Sequence, residues 1–169
     1  MRVAIAALCA VVSSGLAAAQ DKPLEAAASL KDAQGKPVGE ATLTQTPAGL
    51  LLSATLHGLP AGAHAFHIHE TAKCEPPGFK SAGGHYNPAA HQHGFENPKG
   101  AHAGDLPNVF VPASGEVKVE LLSCSGAALD KLLAAGGGAL VLHATGDDYH
   151  TDPAGAAGDR IACGVIVKK

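Results

Sequence analysis

Tryptophan is absent from this 169-residue sequence, and aromatic residues make up only 4% of it. Charged residues are also sparse at 16%, and the 12 basic and 15 acidic side chains leave a formal net charge of −3. The basic residues form no cluster, which excludes the electrostatic footprint of a nucleic-acid-binding protein. The hydrophobic fraction of 46% and the chain length instead indicate one globular domain with its own core.

A hydrophobic run long enough to cross a membrane is missing from the sequence. The run near the N-terminus follows Arg2 and covers residues 3–12, about half of the roughly 20 residues that a spanning helix needs. Small residues ending at Ala19 follow it, as is typical of a secretory signal peptide. The pattern predicts a signal over residues 1–19, cleaved after Ala19, and an exported mature domain over residues 20–169. Losing Arg2 would change the net charge from −3 to −4. An uncleaved membrane anchor is the competing interpretation.

Cysteine is scarce, with four in the chain. Cys9 lies in the predicted signal peptide, so the mature domain keeps Cys74, Cys124 and Cys163. An odd number of cysteines in an oxidising compartment predicts either one disulfide with a free thiol or an intermolecular bond.

Glycine and proline, by contrast, are plentiful at 21 and 11 residues, which favours short strands joined by turns. Apolar and polar residues alternate in "GLLLSATLH" and "EVKVELL", as they do in strands with one face in a core. Such patterns predict eight strands, at 24–31, 38–46, 49–57, 63–70, 106–111, 116–122, 139–143 and 160–167. "ALDKLLAA" predicts a short helical turn. The expected fold is therefore all-β, an eight-stranded antiparallel Greek-key sandwich or flattened barrel.

Two segments are too long to be simple turns between these strands, residues 71–105 and residues 144–159. Loops longer than about 15 residues in a compact domain are usually functional or disordered. The first is rich in residues that bind metals, so the sequence predicts that a ligand holds it together.

Histidine is the residue type that stands out, with ten in the chain. Three lie in "AHAFHIHE" at 63–70, where strand alternation places His67 and His69 on one face, with Phe66 and Ile68 on the other. One face of this strand therefore offers imidazole nitrogens while the other packs.

The long loop adds a second group of candidate ligands. His85, His93, His102 and Asp105 form a mixed set of imidazoles and a carboxylate, which suits tetrahedral zinc. His102 and Asp105 lie three residues apart in "HAGD", close enough in a turn to hold one ion. On these residues alone, a solvated histidine-rich loop remains an equal alternative, because loop ligands follow no rigid spacing.

Several longer motifs occur together along the chain: "AFHIHE", "SAGGHYNP", "HAGDLPN", "LVLHATGDD" and "GDRIACGVI". Their order and approximate spacing resemble those of copper, zinc superoxide dismutases, in the secreted bacterial form. The resemblance spans essentially the whole mature domain. It implies the same β-sandwich architecture and an enzyme that uses copper and zinc to convert two superoxide anions and two protons into dioxygen and hydrogen peroxide, protecting the cell envelope.

The resemblance also implies which residues hold the metals. The expected copper ligands are His67, His69, His85 and His143, and the expected zinc ligands are His85, His93, His102 and Asp105. His85 belongs to both sets, which imidazole permits because its two ring nitrogens are separate ligands. In the implied cycle between Cu(II) and Cu(I), His85 also relays a proton.

Further roles follow from the same resemblance. Arg160 is expected to guide the superoxide anion, since a local positive charge must overcome the repulsion of a net negative protein. Asp147 is expected to hydrogen-bond His67 and His93. A disulfide between Cys74 and Cys163 is implied.

Several features depart from the family or stay open. Cys124 is then left unpaired and is expected to be a buried, inert thiol. Ala65 stands where the family usually has glycine, and we expect a residue this small to be accommodated. His91, in "HQHG", competes with His93 as a zinc ligand. The oligomeric state is open, with a homodimer as one outcome.

Two other functions compete with the enzyme. One is a non-catalytic copper and zinc carrier on the same fold, which would need no substrate-guiding Arg160. The other is a cupin-type oxygenase, whose motif wants a glutamate four or five residues after the second histidine, where this chain has Lys73 and Cys74.

Overall fold

The computed structural model describes residues 22–169, so the predicted signal peptide and its cleavage site lie outside the described residues. Residues 22–169 contain ten β-strands, a short α-helix at Leu129–Ala134 (α1) and a 3-10 turn at Lys80–Ala82. None of the helices in this part of the chain is long and apolar enough to span a bilayer. The strands are Glu25–Asp32 (β1), Pro37–Thr46 (β2), Gly49–Leu56 (β3), Gly62–His64 (β4), Phe66–His69 (β5), Val109–Val111 (β6), Val117–Ser123 (β7), Ala139–His143 (β8), Arg160–Val165 (β9) and Val167–Lys168 (β10).

Eight of these strands form one curled antiparallel sheet with the order β5-β8-β9-β1-β2-β3-β7, and β10 pairs with β1. The other two, β4 and β6, form a small antiparallel ladder. Strands β1, β2 and β3 follow one another as hairpins, and β9 returns over a long connection to lie beside β1. The non-consecutive neighbours β9-β1 and β3-β7 mark the crossover connections that curl the sheet on itself. The prediction of an all-β antiparallel fold is confirmed.

Alternation of side chains places the core on the concave side of the sheet. In β3, Leu50, Leu52 and Leu56 are at most 1% exposed, whereas Ser53 and Thr55 between them face outward. Each fully buried leucine contributes about 1.5–3 kcal/mol to folding through the hydrophobic effect. This pattern is the one from which the strands were predicted.

Two predicted strands are interrupted in the structure. The segment 63–70 breaks at Ala65, whose N–H donates to the Thr145 carbonyl while its own carbonyl accepts from the His143 N–H. These bonds separate β5 from β4, and β5 pairs with β8. The segment 160–167 breaks at Ile166, whose N–H donates to the Gly138 carbonyl.

Strands β5 and β8 are buried on both faces, unlike the half-exposed strands β1, β3 and β7. Phe66 and Ile68 point into the main core. On the opposite face, Val141 packs with Phe79 of the long loop in a second, smaller core. The long loop therefore covers the outer face of the sheet at β5 and β8.

A disulfide between Cys74 and Cys163 ties the start of the long loop to β9, as the resemblance implied. Cys124 has no disulfide partner within residues 22–169 and is exposed, so the prediction that it is buried was wrong. The reason is its position just after Ser123, the fully buried last residue of β7, where the next side chain turns outward.

Replacing both Cys74 and Cys163 by Ser should lower the free energy of unfolding of the metal-free protein by about 2–5 kcal/mol, because the bridge closes a large loop in the unfolded chain. The two residues are 89 positions apart. Guanidinium unfolding measures the change. The control is Cys124→Ser, which alters an exposed thiol and should shift stability by less than about 0.5 kcal/mol. Equal stability of both variants would contradict this account.

Candidate metal centre

Strands β5, β8 and β9 supply part of the centre from their outer faces. His67 and His69 of β5 lie opposite Val141 and Ala139 of β8, and His143 ends β8 on the same outer face. Because both strands are packed on two sides, these imidazoles are held on a rigid surface. His67 and His69 are fully buried and His143 is 3% exposed.

A bulge in β9 places Arg160 beside these histidines. Ala162 pairs with Leu142, but Arg160, two positions earlier, pairs with His143. The extra residue, Ile161, packs against the main core together with Ala162. Without it, strand alternation would turn Arg160 inward.

The long loop completes the centre by docking on the free edge of β5. Its backbone pairs with both sides of Ile68, whose N–H donates to the Gly104 carbonyl and whose carbonyl accepts from the Tyr86 N–H. Isolated bridges place His85 opposite His69 and Asp105 opposite His67. A Cβ at Gly104 would come within 2.2 Å of the Ile68 carbonyl oxygen, so this approach requires glycine.

One cluster consists of His67, His69, His85 and His143, each offering a nitrogen within 4.8 Å of the others. Three of them donate from their second ring nitrogen to a fixed partner. The acceptors are Asp147 Oδ2 for His67 Nε2 at 2.7 Å, the Gly83 carbonyl for His69 Nδ1 at 3.0 Å, and the Gly158 carbonyl for His143 Nδ1 at 3.3 Å. These bonds fix the tautomers, so the opposite nitrogens carry lone pairs.

Four buried nitrogens of this cluster have no hydrogen-bond partner among the described residues: His67 Nδ1, His69 Nε2, His85 Nε2 and His143 Nε2. Each unsatisfied buried polar atom costs about 1–3 kcal/mol. Four converging imidazole lone pairs suit a copper ion. The donor set therefore fits copper.

Burial also keeps His67, His69 and His143 neutral, which is the form that binds metals. Desolvation lowers the pKa of His67 to about 4, of His69 to about 2 and of His143 to about 3. Neighbouring histidines contribute to this lowering of the pKa, and the hydrogen bonds to Asp147, Gly83 and Gly158 oppose it.

A second cluster consists of His85, His93, His102 and Asp105, all buried. The Nδ1 atoms of His85, His93 and His102 lie 2.9, 3.1 and 3.3 Å from the same oxygen, Asp105 Oδ1. Tetrahedral ligands about 2 Å from a zinc ion are about 3.3 Å apart, so the spacing fits zinc. The other oxygen, Asp105 Oδ2, accepts from the N–H groups of Gly94 and His102.

Burial would raise the pKa of the Asp105 carboxyl, but hydrogen bonds from His85, His93 and the Gly94 N–H hold it far below its ordinary value. Asp105 is therefore a carboxylate at any working pH. Its charge compensates a bound cation.

Asp147 joins the two clusters. Its Oδ2 accepts from His67 Nε2 at 2.7 Å, and its Oδ1 accepts from His93 Nε2 at 3.0 Å. Burial would lower the pKa of His93, but its hydrogen bonds to Asp105 and Asp147 raise it to about 9. In the metal-free protein this imidazole is charged, so a metal at its Nδ1 must displace a proton.

Arg160 is half-buried and is held by the long loop. Its Nη1 donates to the Phe79 carbonyl at 2.8 Å and its Nη2 to the Gly83 carbonyl at 2.7 Å. The Gly83 carbonyl is also the acceptor for His69. A surface cleft is lined by Arg160 together with His85 and His91, so the residue that belongs to both clusters lies at this cleft.

The structure also separates the residues that sequence reasoning left open. His91 is exposed, its Nδ1 lies 3.1 Å from the Ala101 carbonyl, and it belongs to neither cluster, whereas His93 is fully buried in the second. Ala65 is fully buried and is not among the residues with positive φ, so its methyl group is accommodated.

Sequence reasoning missed the residues that position the ligands. The Gly83 carbonyl, which holds His69 and Arg160, is a backbone group with no sequence signal. Asn108 hydrogen-bonds the backbone of Asp147, 39 residues away. Its presence in "HAGDLPN" was the one available hint.

Comparison with known proteins decides the family. The family model described as copper/zinc superoxide dismutase matches residues 38–166. The chain belongs to this family. A copper, zinc superoxide dismutase of Aquifex aeolicus is 46% identical over 156 residues, 89% of this chain and 91% of the relative. Dismutation of superoxide with copper and zinc is the activity of this family.

Solved structures of the family share the fold. The copper, zinc superoxide dismutase of Brucella abortus superposes with a TM-score of 0.72 at 32% identity, covering 85% of this chain and 99% of that one. A superoxide dismutase-like protein of Bacillus subtilis gives a TM-score of 0.77 at 37% identity, covering 83% and 97%. Both identities are high enough to support family membership as well as fold.

The metal-free superoxide dismutase should lose stability as the pH falls from 6.5 towards 3. The histidine pKa is near 6.5 in the unfolded chain but is depressed for His67, His69 and His143 in the fold. The unfolded chain therefore binds more protons in this window, and each extra proton costs about 1.4 kcal/mol per pH unit. The pKa of His93 is raised instead. Its contribution to the free energy of unfolding is therefore present below pH 6.5 and is lost as the pH rises through about 9.

Denaturant unfolding of the metal-free protein at pH 7, 5.5 and 4.5 measures this dependence. His69→Gln should flatten the slope in this window, whereas Thr55→Ser, which changes an exposed non-titrating residue of β3, should leave it unchanged. A stability that does not vary between pH 6.5 and 4.5 would rule out buried neutral histidines.

Proposed function

We propose that the two clusters are the metal sites of an exported superoxide dismutase. His67, His69, His85 and His143 are the copper ligands, and His85, His93, His102 and Asp105 are the zinc ligands. The observation that carries this proposal is the convergence of four buried imidazole nitrogens that have no hydrogen-bond partner among the described residues. Beside them, one carboxylate oxygen of Asp105 is contacted by three further imidazole nitrogens. Bound copper would supply one-electron redox chemistry, and bound zinc a fixed positive charge.

His85 lies at the junction of the two sites. Its Nδ1 faces Asp105 at 2.9 Å, while its Nε2 has no partner within the described residues and belongs to the first cluster. In the proposed reaction its Nε2 takes up a proton and delivers it to the reduced product. Two superoxide anions and two protons then yield dioxygen and hydrogen peroxide, with one superoxide oxidised and the other reduced.

Arg160 is proposed to attract and orient the superoxide anion. The chain has a net charge of −3, so a substrate anion needs a local positive charge near the copper ligands. Two carbonyl contacts use two of the five guanidinium N–H donors, which leaves others for an anion. Arg160 stays protonated, although burial lowers its pKa somewhat.

Superoxide decay tests the reaction itself, with the chain lacking residues 1–19 loaded with copper and zinc or with zinc alone. We expect copper-dependent decay near about 10⁹ per molar per second, a ceiling that superoxide dismutases are known to approach. Tight copper binding without decay would contradict the enzyme and favour a carrier.

Arg160→Gln should lower the second-order rate constant by about 10- to 100-fold and reduce its dependence on ionic strength, because it removes the steering charge. Metal content, measured on the same samples, should stay unchanged. Lys118→Gln makes the same change in net charge on the exposed face of β7 and serves as the control. Equal rates for the two variants would exclude guidance by Arg160.

The N-terminal segment is proposed to direct the protein to the periplasm, where the enzyme would protect the cell envelope. The support is the short apolar run and the small residues before Gln20. Cell fractionation followed by N-terminal sequencing should find a periplasmic protein that begins at Gln20. A protein that retains Met1 in the membrane fraction would show an uncleaved anchor instead.

A homodimer is proposed as the solution state. The support is Phe110 of β6, which is 71% exposed, the highest value among the large hydrophobic side chains of the described residues, where Val167 follows at 55%. Sedimentation should show a dimer that Phe110→Ser converts to a monomer. A monomeric unaltered protein would contradict the proposal.

A further inference from the structure

The carboxylate of Asp147 contacts one histidine of each proposed metal site. Asp147 holds His67 and His93 through its two oxygens, so both imidazole rings depend on where this side chain stands. Asp147 lies in the second loop, residues 144–159, which contains no strand or helix. Hydrogen bonds within the loop hold its neighbours, since the Asp148 N–H donates to the Gly155 carbonyl, but none of them reaches the backbone N–H or carbonyl of Asp147.

The side chain of Asn108 makes that connection. Its Nδ2 donates to the Asp147 carbonyl at 2.9 Å, and its Oδ1 accepts from the Asp147 N–H at 2.8 Å. These are the hydrogen bonds that the described structure gives to the two backbone groups of Asp147. A Cβ at the neighbouring Gly146 would come within 3.1 Å of Ala63 Cβ, so this approach of the second loop to β4 favours glycine.

Asn108 is itself fixed to the barrel. It immediately precedes β6 and lies between Leu106 and Val109, both fully buried in the main core. Its backbone N–H donates to the Tyr149 hydroxyl oxygen at 2.7 Å, a second bond to the loop that carries Asp147. It also lies three residues after Asp105. The short stretch 105–108 therefore contains a proposed zinc ligand and the residue that contacts Asp147.

We propose that Asn108 is a positioning residue for both metal sites and acts through Asp147. By clamping the Asp147 backbone, it keeps the carboxylate between His67 and His93 and so fixes which nitrogen each ring presents to a metal. This proposal rests on the ligand sets of the proposed function. It predicts that Asn108 affects metal binding only while Asp147 is present.

Zinc affinity of the metal-free protein, measured by competition with a chromophoric chelator, tests this dependence. Asn108→Ala should weaken zinc binding by about 10- to 100-fold, the usual effect of losing a partner of a metal ligand. Asn108→Asp keeps the size of the side chain but loses the donor to the Asp147 carbonyl, so it should also weaken binding by 10-fold or more, and it carries the test if Asn108→Ala does not fold. In an Asp147→Ala background, Asn108→Ala should change the affinity by less than about twofold, because the two residues act in series.

Asn87→Ala is the matched control. Asn87 makes the same pair of side-chain bonds to the backbone of His91, which belongs to neither cluster. Its replacement should leave zinc affinity within about twofold of the unaltered protein. An equal loss in Asn87→Ala and Asn108→Ala would show that any loosened loop weakens the metal, and would overturn the proposal.

Nitrogen-15 NMR of the histidine rings in the metal-free protein gives a second readout. The unaltered protein should show His67 protonated at Nε2, and Asn108→Ala should show a mixture of its two tautomers. Unchanged tautomers with unchanged zinc affinity would overturn the role of Asn108 alone. If the unaltered protein itself fails to bind zinc, the ligand sets of the proposed function fail and this inference fails with them.

Discussion

Three buried histidines of the first cluster, His67, His69 and His143, each commit one ring nitrogen to the protein and thereby leave the other for a metal. An imidazole has two nitrogens and, when neutral, one proton, so the partner of the first nitrogen decides the state of the second. In the first cluster, a carboxylate and two backbone carbonyls accept that proton from His67, His69 and His143. The loops of the fold bring these acceptors to the histidines.

That requirement explains why a β-sandwich carries so much irregular chain. Strands β5 and β8 present their histidines on an outer face that would otherwise meet water, where neither tautomer nor ring orientation is held. The long loop covers this face and brings the Gly83 carbonyl, while the second loop brings Asp147 and the Gly158 carbonyl. The disulfide from Cys74 to Cys163 fastens this cover to the sheet beside Arg160.

The sequence was sufficient to predict most of the strands and the residues that the structure brings together in the two clusters. Alternation marked β3 and β7 without further help, and the family resemblance supplied the membership of His143 and Asp147. Features that depend on distant pairing were not predictable. The break at Ala65 arises from its bonds to His143 and Thr145, and the contact of Asn108 with Asp147 spans 39 residues. The exposure of Cys124 was misjudged because the end of β7, and hence the side chain direction after it, was not known.

The extra residue in β9 reverses the inside-outside phase of the strand. Ile161 and Ala162 both pack on the core side of the strand. Arg160 and Cys163 therefore both face the loop, although they are three residues apart. In a regular strand without the extra residue, the Arg160 guanidinium would face the hydrophobic interior. Anyone grafting this arginine onto another sandwich would have to transfer the irregularity together with the side chain.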